Sequence, residues 1–251
     1  MRIAFVSDIH GNLPALQAVL ADLDANGPYD AVVGGGDFVS GGAYPERVMQ
    51  VVRERGWPGV RGNGDEWIIE SASAGRIPAK GYTPAQVPPP IIFQVNDWGA
   101  KMLSDDSLRY LADLPLEWRV TGPSGNELVF IHATPTSTHP VVRHDAEESV
   151  LVGMLDETGA DTLVHAHIHH AYVRTIGERT VACTGAVGFP LDGDERPCYM
   201  VATDTGNGWS LEHHRVTYNR DQYLSDLARS GIPNAAGIID QIRAGGASGS
   251  R

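Results

Sequence analysis

The sequence predicts an α/β fold, and three patterns carry that expectation. Short β-branched runs alternate with amphipathic helical stretches through the first 65 residues, the rhythm of parallel strands joined by right-handed helical crossovers. Those runs end abruptly in glycine-flanked polar side chains rather than fading into charged loops. From Glu117 onward, strand-like runs dominate and a hairpin signature appears.

Ile3 to Ser7 reads as a buried strand. Gly11 and Asn12 break it, and Leu13 to Asn26 forms a helix with Asn12 as N-cap, Pro14 in the first turn, and Leu16, Val19, Leu20 and Leu23 on one face. Asp30 to Val33 is a second strand, leading into Gly34-Gly35-Gly36-Asp37. A helix from about Pro45 to Arg55 follows. A short strand at Gly59 to Arg61 runs into Gly62-Asn63-Gly64-Asp65.

Residues 67–115 break the rhythm, with Gly75, Gly81, Thr83-Pro84 and the triple proline Pro88 to Pro90. Helical patterns follow near Ile91 to Leu103 and Ser107 to Leu114. The segment is too poor in apolar residues for a core of its own, so it reads as a helical cap within a single domain of residues 1–244.

Glu117 to Thr121 and Glu127 to Ile131 flank Gly122-Pro123-Ser124-Gly125-Asn126, a hairpin. The second strand ends at His132. A helix spans Ala146 to Thr158, stopped by Gly159. Thr162 to Val164 is a strand ending in His165-Ala166-His167-Ile168-His169-His170. Strands at Tyr172 to Ile176, Arg179 to Cys183, Tyr199 to Thr203 and Trp209 to Val216 close the β-rich half. Helices near Arg220 to Arg229 and Ala235 to Arg243 precede a tail, residues 245–251, expected to be disordered.

Hydrophobic residues at 42% and charged residues at 20% are those of an ordinary soluble globular protein. A net charge of −12 argues against non-specific contacts to nucleic acid. No stretch reaches the ~18 apolar residues of a membrane span, and the first apolar run is too short for a signal peptide. Two cysteines, Cys183 and Cys198, make no disulfide framework, so the expected setting is reducing and cytoplasmic.

Collected by strand end, the ligand-type residues are Asp8, His10, Asp37, Asn63, His132, His167 and His169. Asp8 and His10 sit two apart on an extended segment and share a face, just past the end of a buried strand where α/β sheets place ligands. Imidazole nitrogen with carboxylate and amide oxygen suits Mn²⁺, Fe, Zn²⁺, Co²⁺ or Ni²⁺. Seven donors residues exceed the needs of one ion with open positions and suit two. Asp37, lying between the others in sequence and carrying two oxygens, is the natural bridge.

The order D-x-H, G-D, G-N-x-D, H and (G/A)-H-x-H resembles the calcineurin-like metallophosphoesterase superfamily, and among its branches the compact bacterial and archaeal phosphodiesterase-type members. The motifs run from Asp8 to His169, about two thirds of the chain. The resemblance implies a four-layered α/β/β/α sandwich of two mixed sheets. It implies one divalent metal on Asp8, His10, Asp37 and His169 and a second on Asp37, Asn63, His132 and His167, with Mn²⁺ the leading candidate. It further implies in-line hydrolysis of a small-molecule phosphoester, a diester by preference, by a hydroxide bridging the two metals.

The chain departs from the family pattern at three places. Gly64 replaces the histidine of G-N-H-(D/E), leaving the general acid unassigned. Phe38-Val39-Ser40 replaces a run that usually ends in Arg-Gly, and Ala166 stands for a glycine. His139, Arg143 and His144, on the loop after His132, are the candidates to supply the missing proton or charge. His165 and His170 read either as partners that orient the ligands or as packing residues, and Asp65 as orienting its loop or a ligand rather than binding metal. A phosphomonoesterase or phosphoprotein phosphatase, and a non-catalytic metal-binding scaffold, are the alternative readings. Oligomeric state is not legible.

Overall fold

A computed structural model describes residues 1–73 and 90–245. Residues 74–89, with the glycine- and proline-rich run, and 246–251 of the expected tail lie outside the described residues; Gly245, expected in that tail, instead ends a helix. Among those described, no helix is long and apolar enough to cross a membrane.

Among the described residues, nine strands form two mixed sheets. In the first, β1 (Arg2–Val6) pairs in parallel with β2 (Ala31–Gly34) and antiparallel with β8 (Cys198–Asp204), which pairs with β9 (Trp209–Arg215). In the second, β4 (Glu127–Ile131), β5 (Thr162–His165) and β7 (Arg179–Cys183) are parallel neighbours. Antiparallel β3 (Glu117–Thr121) and β6 (Tyr172–Ile176) close its two edges.

Alternation along the strands builds the layers, because successive side chains point to opposite faces. Ile3 and Phe5 of β1 meet Leu128 and Phe130 of β4, Val164 of β5 and Met200 of β8 in a core between the sheets. Ala4 and Val6 point the other way, onto α1 (Leu13–Asn26) and α2 (Pro45–Arg55). Val129 and Ile131 pack beneath α6 (Glu148–Thr158). The result is the expected four-layered α/β/β/α sandwich. A smaller apolar cluster joins Val95 of α4 (Pro90–Met102) to Tyr223, Leu224 and Leu227 of α7 (Arg220–Arg229) and Ile242 of α8 (Ala235–Gly245).

Two local expectations need correction. Gly59–Arg61 is not a strand but makes one parallel bridge, Gly59 to Gly34. β2 ends at Gly34, and Gly36 turns the chain at φ +84°, leaving nothing beyond to pair with. Conversely, Gly62-Asn63-Gly64-Asp65 is not merely a loop, since α3 begins at Asn63 and runs to Ala72. Two glycines beside an asparagine disfavour helix, but the Asp65 carboxylate accepts the Gly62 N–H at 2.9 Å and caps the first turn. The cap helices are α4 and α5 (Asp105–Asp113), the latter N-capped by Ser104.

Candidate metal centre and cavity

The chain turns sharply at each ligand-bearing strand end. Asp8, His10, Asp37, His167 and His169 all have positive φ, and they are five of the six non-glycine residues that do so among those described. Each such conformation costs roughly 1–3 kcal/mol and persists only where the surroundings enforce it. Here backbone bonds between neighbouring strand-end loops do so: Asp8 N–H donates to Gly36 O at 3.1 Å, His10 N–H to Asp37 O at 2.9 Å, and Gly188 N–H to Asp8 O at 2.9 Å. Asp65 adds to this by accepting the Asp37 and Phe38 N–H groups at 2.9 and 3.1 Å. Burial and the adjacent Asp37 carboxylate push the Asp65 pKa up to about 7.

The side chains thus presented converge. Asp8, His10, Asp37 and His169 each offer a donor atom, all within 4.8 Å of one another. His10 Nδ1–H donates to Ser40 O at 2.6 Å and His169 Nδ1–H to Phe189 O at 2.7 Å, which fixes both tautomers. Their Nε2 atoms, both carrying lone pairs, then face each other at 3.1 Å, with Asp8 Oδ1 3.1 Å from His169 Nε2. Lone pairs so placed repel unless a proton or a metal cation lies between them. Asp8 Oδ1 is buried with no hydrogen-bond donor, an orphan of the kind a metal satisfies. The Asp8 carboxyl itself sits well below the usual carboxylate range; burial opposes this, and the histidines around it, His169 first, outweigh burial.

A second group adjoins the first. His132 Nδ1–H donates to Gly35 O at 2.7 Å, and its Nε2 stands 3.1 Å from Asn63 Oδ1. The His132 and His167 rings lie 5.1 Å apart, and His167 Nε2 is buried without a partner. Burial, with the charge of His132, drives the His167 pKa down to about 4, so this imidazole is neutral and able to ligate. Asp37 joins the groups: its Oδ2 is 3.6 Å from His10 Nε2 and its Oδ1 is 3.7 Å from His132 Nε2. The residues present therefore fit divalent transition ions held by nitrogen and carboxylate oxygen.

His10, Asp37, Asn63, His167 and His169 form one wall of a cavity of about 360 Å³, within the ~300–1,000 Å³ range of small-molecule sites. The rest of the lining is largely apolar, with Ile91, Ile92 and Val95 from α4, Tyr223 from α7, Ile238 and Ile242 from α8, and Phe189, whose ring lies 5.6 Å from that of His169. Sequence reasoning missed the contribution of α7 and α8. The available signal was the spacing of Asn234, Ile238, Gln241 and Ile242, one face of a helix.

His139, Arg143 and His144 are not among the residues lining this cavity. His139 Nε2 lies 3.0 Å from Glu66 Oε2, which also accepts the Thr138 hydroxyl at 2.9 Å. Arg143 pairs with exposed Asp145, and His144 stacks on His170 at 3.9 Å between centroids. His165 accepts the Tyr172 hydroxyl at 2.6 Å, and burial pushes its pKa down to about 4. Gly64 bears directly on the metal groups, since its N–H donates to Asp37 Oδ1 at 2.7 Å. A Cβ there would come within 2.8 Å of the Ser40 Cβ, so a side chain at this position has no room without a shift.

The sequence model of the calcineurin-like phosphoesterase superfamily domain matches residues 1–207. An uncharacterised protein of Methanocaldococcus jannaschii is 24% identical over 254 residues, covering 94% of this chain and 95% of its own. A metallophosphoesterase from Sphaerobacter thermophilus superposes with a TM-score of 0.72 at 25% identity, over 98% of this chain and 99% of that one. A hypothetical protein from Pyrococcus horikoshii OT3 shares the fold with a TM-score of 0.81 at 19% identity, over 100% and 99%. With the match spanning most of the chain and the clustered donors at its strand ends, this protein belongs to the calcineurin-like phosphoesterase superfamily, a family of metal-dependent phosphoester hydrolases.

Proposed function

We propose that the protein is a dinuclear phosphodiesterase. The observation that carries the reading is Asp37, whose two oxygens face one histidine of each donor group. Asp8, His10, Asp37 and His169 hold one ion, and Asp37, Asn63, His132 and His167 the other. Mn²⁺ suits the set first, with Fe, Ni²⁺, Zn²⁺ and Co²⁺ able to replace it. Bound there, the ions supply Lewis-acid charge to the phosphate and lower the pKa of the attacking water.

The chain's own residues prepare that chemistry. The carbonyls of Ser40, Phe189 and Gly35 hold three imidazoles with Nε2 toward the donor groups, so the rings need not reorient to meet a metal. Two divalent ions set against the Asp8 and Asp37 carboxylates and one attacking hydroxide leave a single positive charge. That matches the single charge of a diester better than the two of a monoester, and no lysine or arginine among the described residues lines the cavity to add to it. The insertion at about 67–115 acts as a cap, supported by α4 lying over the cavity. The buried free thiols Cys183 and Cys198 suit a reducing cytoplasm.

The test is hydrolysis of bis-p-nitrophenyl phosphate and p-nitrophenyl phosphate by metal-stripped protein and by protein reloaded with each ion. Reloading should restore a diester rate at least ~10-fold above the monoester rate, about 1.4 kcal/mol of preference. Asp37→Ala should bind neither ion and be inactive. Stripped protein as fast as reloaded protein overturns the reading, and one tightly held ion in Asp37→Ala excludes the bridge.

A further inference from the structure

The family match ends at residue 207, yet α7 and α8, at residues 220–229 and 235–245, supply part of the wall of the cavity that the donor groups line. This wall stands where a substrate held at the donor groups would extend its organic half. Ile238 and Ile242 of α8, Tyr223 of α7 and the Phe189 ring make it apolar and partly aromatic.

Set into this apolar surface are two carboxamides, Asn234 and Gln241. Asn234 immediately precedes α8 and Gln241 lies seven positions on, two helical turns along the same side. The Asn234 backbone is strained at φ +58° while its carbonyl accepts the Ile238 N–H at 3.1 Å. Gly237 leaves the space its side chain occupies, since a Cβ there would come within 2.6 Å of Asn234 Nδ2. A carboxamide is uncharged, and its paired donor and acceptor read the edge of a flat heterocycle. Aromatic side chains beside it favour the face of the same ring.

We infer that α7 and α8 form the subsite for the substrate's alcohol group, that this subsite selects a neutral nucleoside over a cationic or small alcohol, and that Gln241 and Asn234 are its specificity-determining residues. The inference rests on the phosphodiesterase reading for the reaction, but not for the binding of the organic half. An alcohol without a heterocycle, cationic or small, is disfavoured because it leaves the Gln241 and Asn234 carboxamides without a partner in the complex.

The test uses three chromogenic diesters with one leaving group: the p-nitrophenyl ester of thymidine 5′-phosphate, bis-p-nitrophenyl phosphate and p-nitrophenyl phosphorylcholine. Wild-type protein should turn over the thymidine ester with a kcat/KM at least 10-fold above the phosphorylcholine ester. Gln241→Ala and Asn234→Ala should each lower kcat/KM for the thymidine ester about 3–10-fold, mainly through KM, and leave bis-p-nitrophenyl phosphate unchanged. Calorimetric titration of metal-stripped protein with thymidine gives a readout that does not depend on turnover. Binding should be measurable in wild type and weakened in Gln241→Ala, a surface change that leaves the fold intact by circular dichroism. Equal use of all three esters, or equal loss on all three in the variants, overturns the inference while the phosphodiesterase reading stands. Thymidine binding without turnover of any ester overturns the phosphodiesterase reading and keeps the subsite.

Discussion

At the scale of single residues, the protein's departure from its relatives at Gly64 has a packing cause. The amide of Gly64 is committed to Asp37 Oδ1, and any β-carbon meets Ser40. Gly64→Ala should therefore displace Asp37 and cut diester kcat/KM by about 10-fold, roughly 1.4 kcal/mol, an effect that titration of bound metal would trace to weaker ion affinity. His165 gives a second residue-level expectation. Its folded pKa of about 4 lies below the ordinary 6.5 because it is buried. The unfolded chain therefore takes up this proton first, so the stability it contributes is intact above pH 6.5 and lost as pH falls toward 4, by up to about 1.4 kcal/mol per pH unit. His165→Gln keeps an acceptor for the Tyr172 hydroxyl and should flatten the fall in Tm between pH 7 and pH 5; an unchanged slope would remove His165 as the cause. The donor residues themselves were legible in the sequence, because they gather where apolar runs end and all but His169 adjoin a glycine, alanine or serine. The roles of Asp65, which ties three backbone amides, and of His139, which turns to Glu66, were less so, since both depend on partners many residues away.

At the scale of elements, most boundaries follow from local chemistry. α1 starts where Asn12 accepts the Ala15 N–H at 3.1 Å, and α2 stops at Gly56 in the left-handed region. α3 escaped notice because its first turn is built from poor helix formers and depends on one capping carboxylate. α4 is more than a cover. Its buried Asn96 accepts the Ser40 hydroxyl at 2.6 Å, and the Ser40 carbonyl in turn takes the His10 Nδ1 proton at 2.6 Å. The cap is thus linked by two hydrogen bonds to a donor imidazole. Asn96→Ala should weaken metal binding about 3–10-fold in competition with a chelator, somewhat less than the 10–100-fold typical when a ligand's immediate partner is removed. An unaltered affinity would make the link incidental.

At the scale of the whole molecule, the sandwich places the donors on facing sheets: Asp8, His10 and Asp37 follow strands of the first, and His132, His167 and His169 follow strands of the second. Ions held between them clip the sheets together. At 1,000-fold excess over its dissociation constant, one such ion contributes about 4 kcal/mol, so chelation should lower Tm by several degrees and re-addition of metal restore it; a Tm indifferent to chelator would show that the sheets hold their loops unaided. The sandwich was legible through its motif order, while the apolar part of the cavity's lining was not, because α8 declares itself only by what it faces.

The meeting of His10 with His169, 159 positions apart, also sets an order of events during synthesis. A ribosome has delivered Asp8, His10 and Asp37 long before either partner histidine of the second sheet exists. The four-donor group closes only when residue 169 has emerged and the second sheet has docked. Cofactor loading is in this way deferred to a nearly finished chain, and a truncated product that stops short of His169 is left without the complete set that captures the ion.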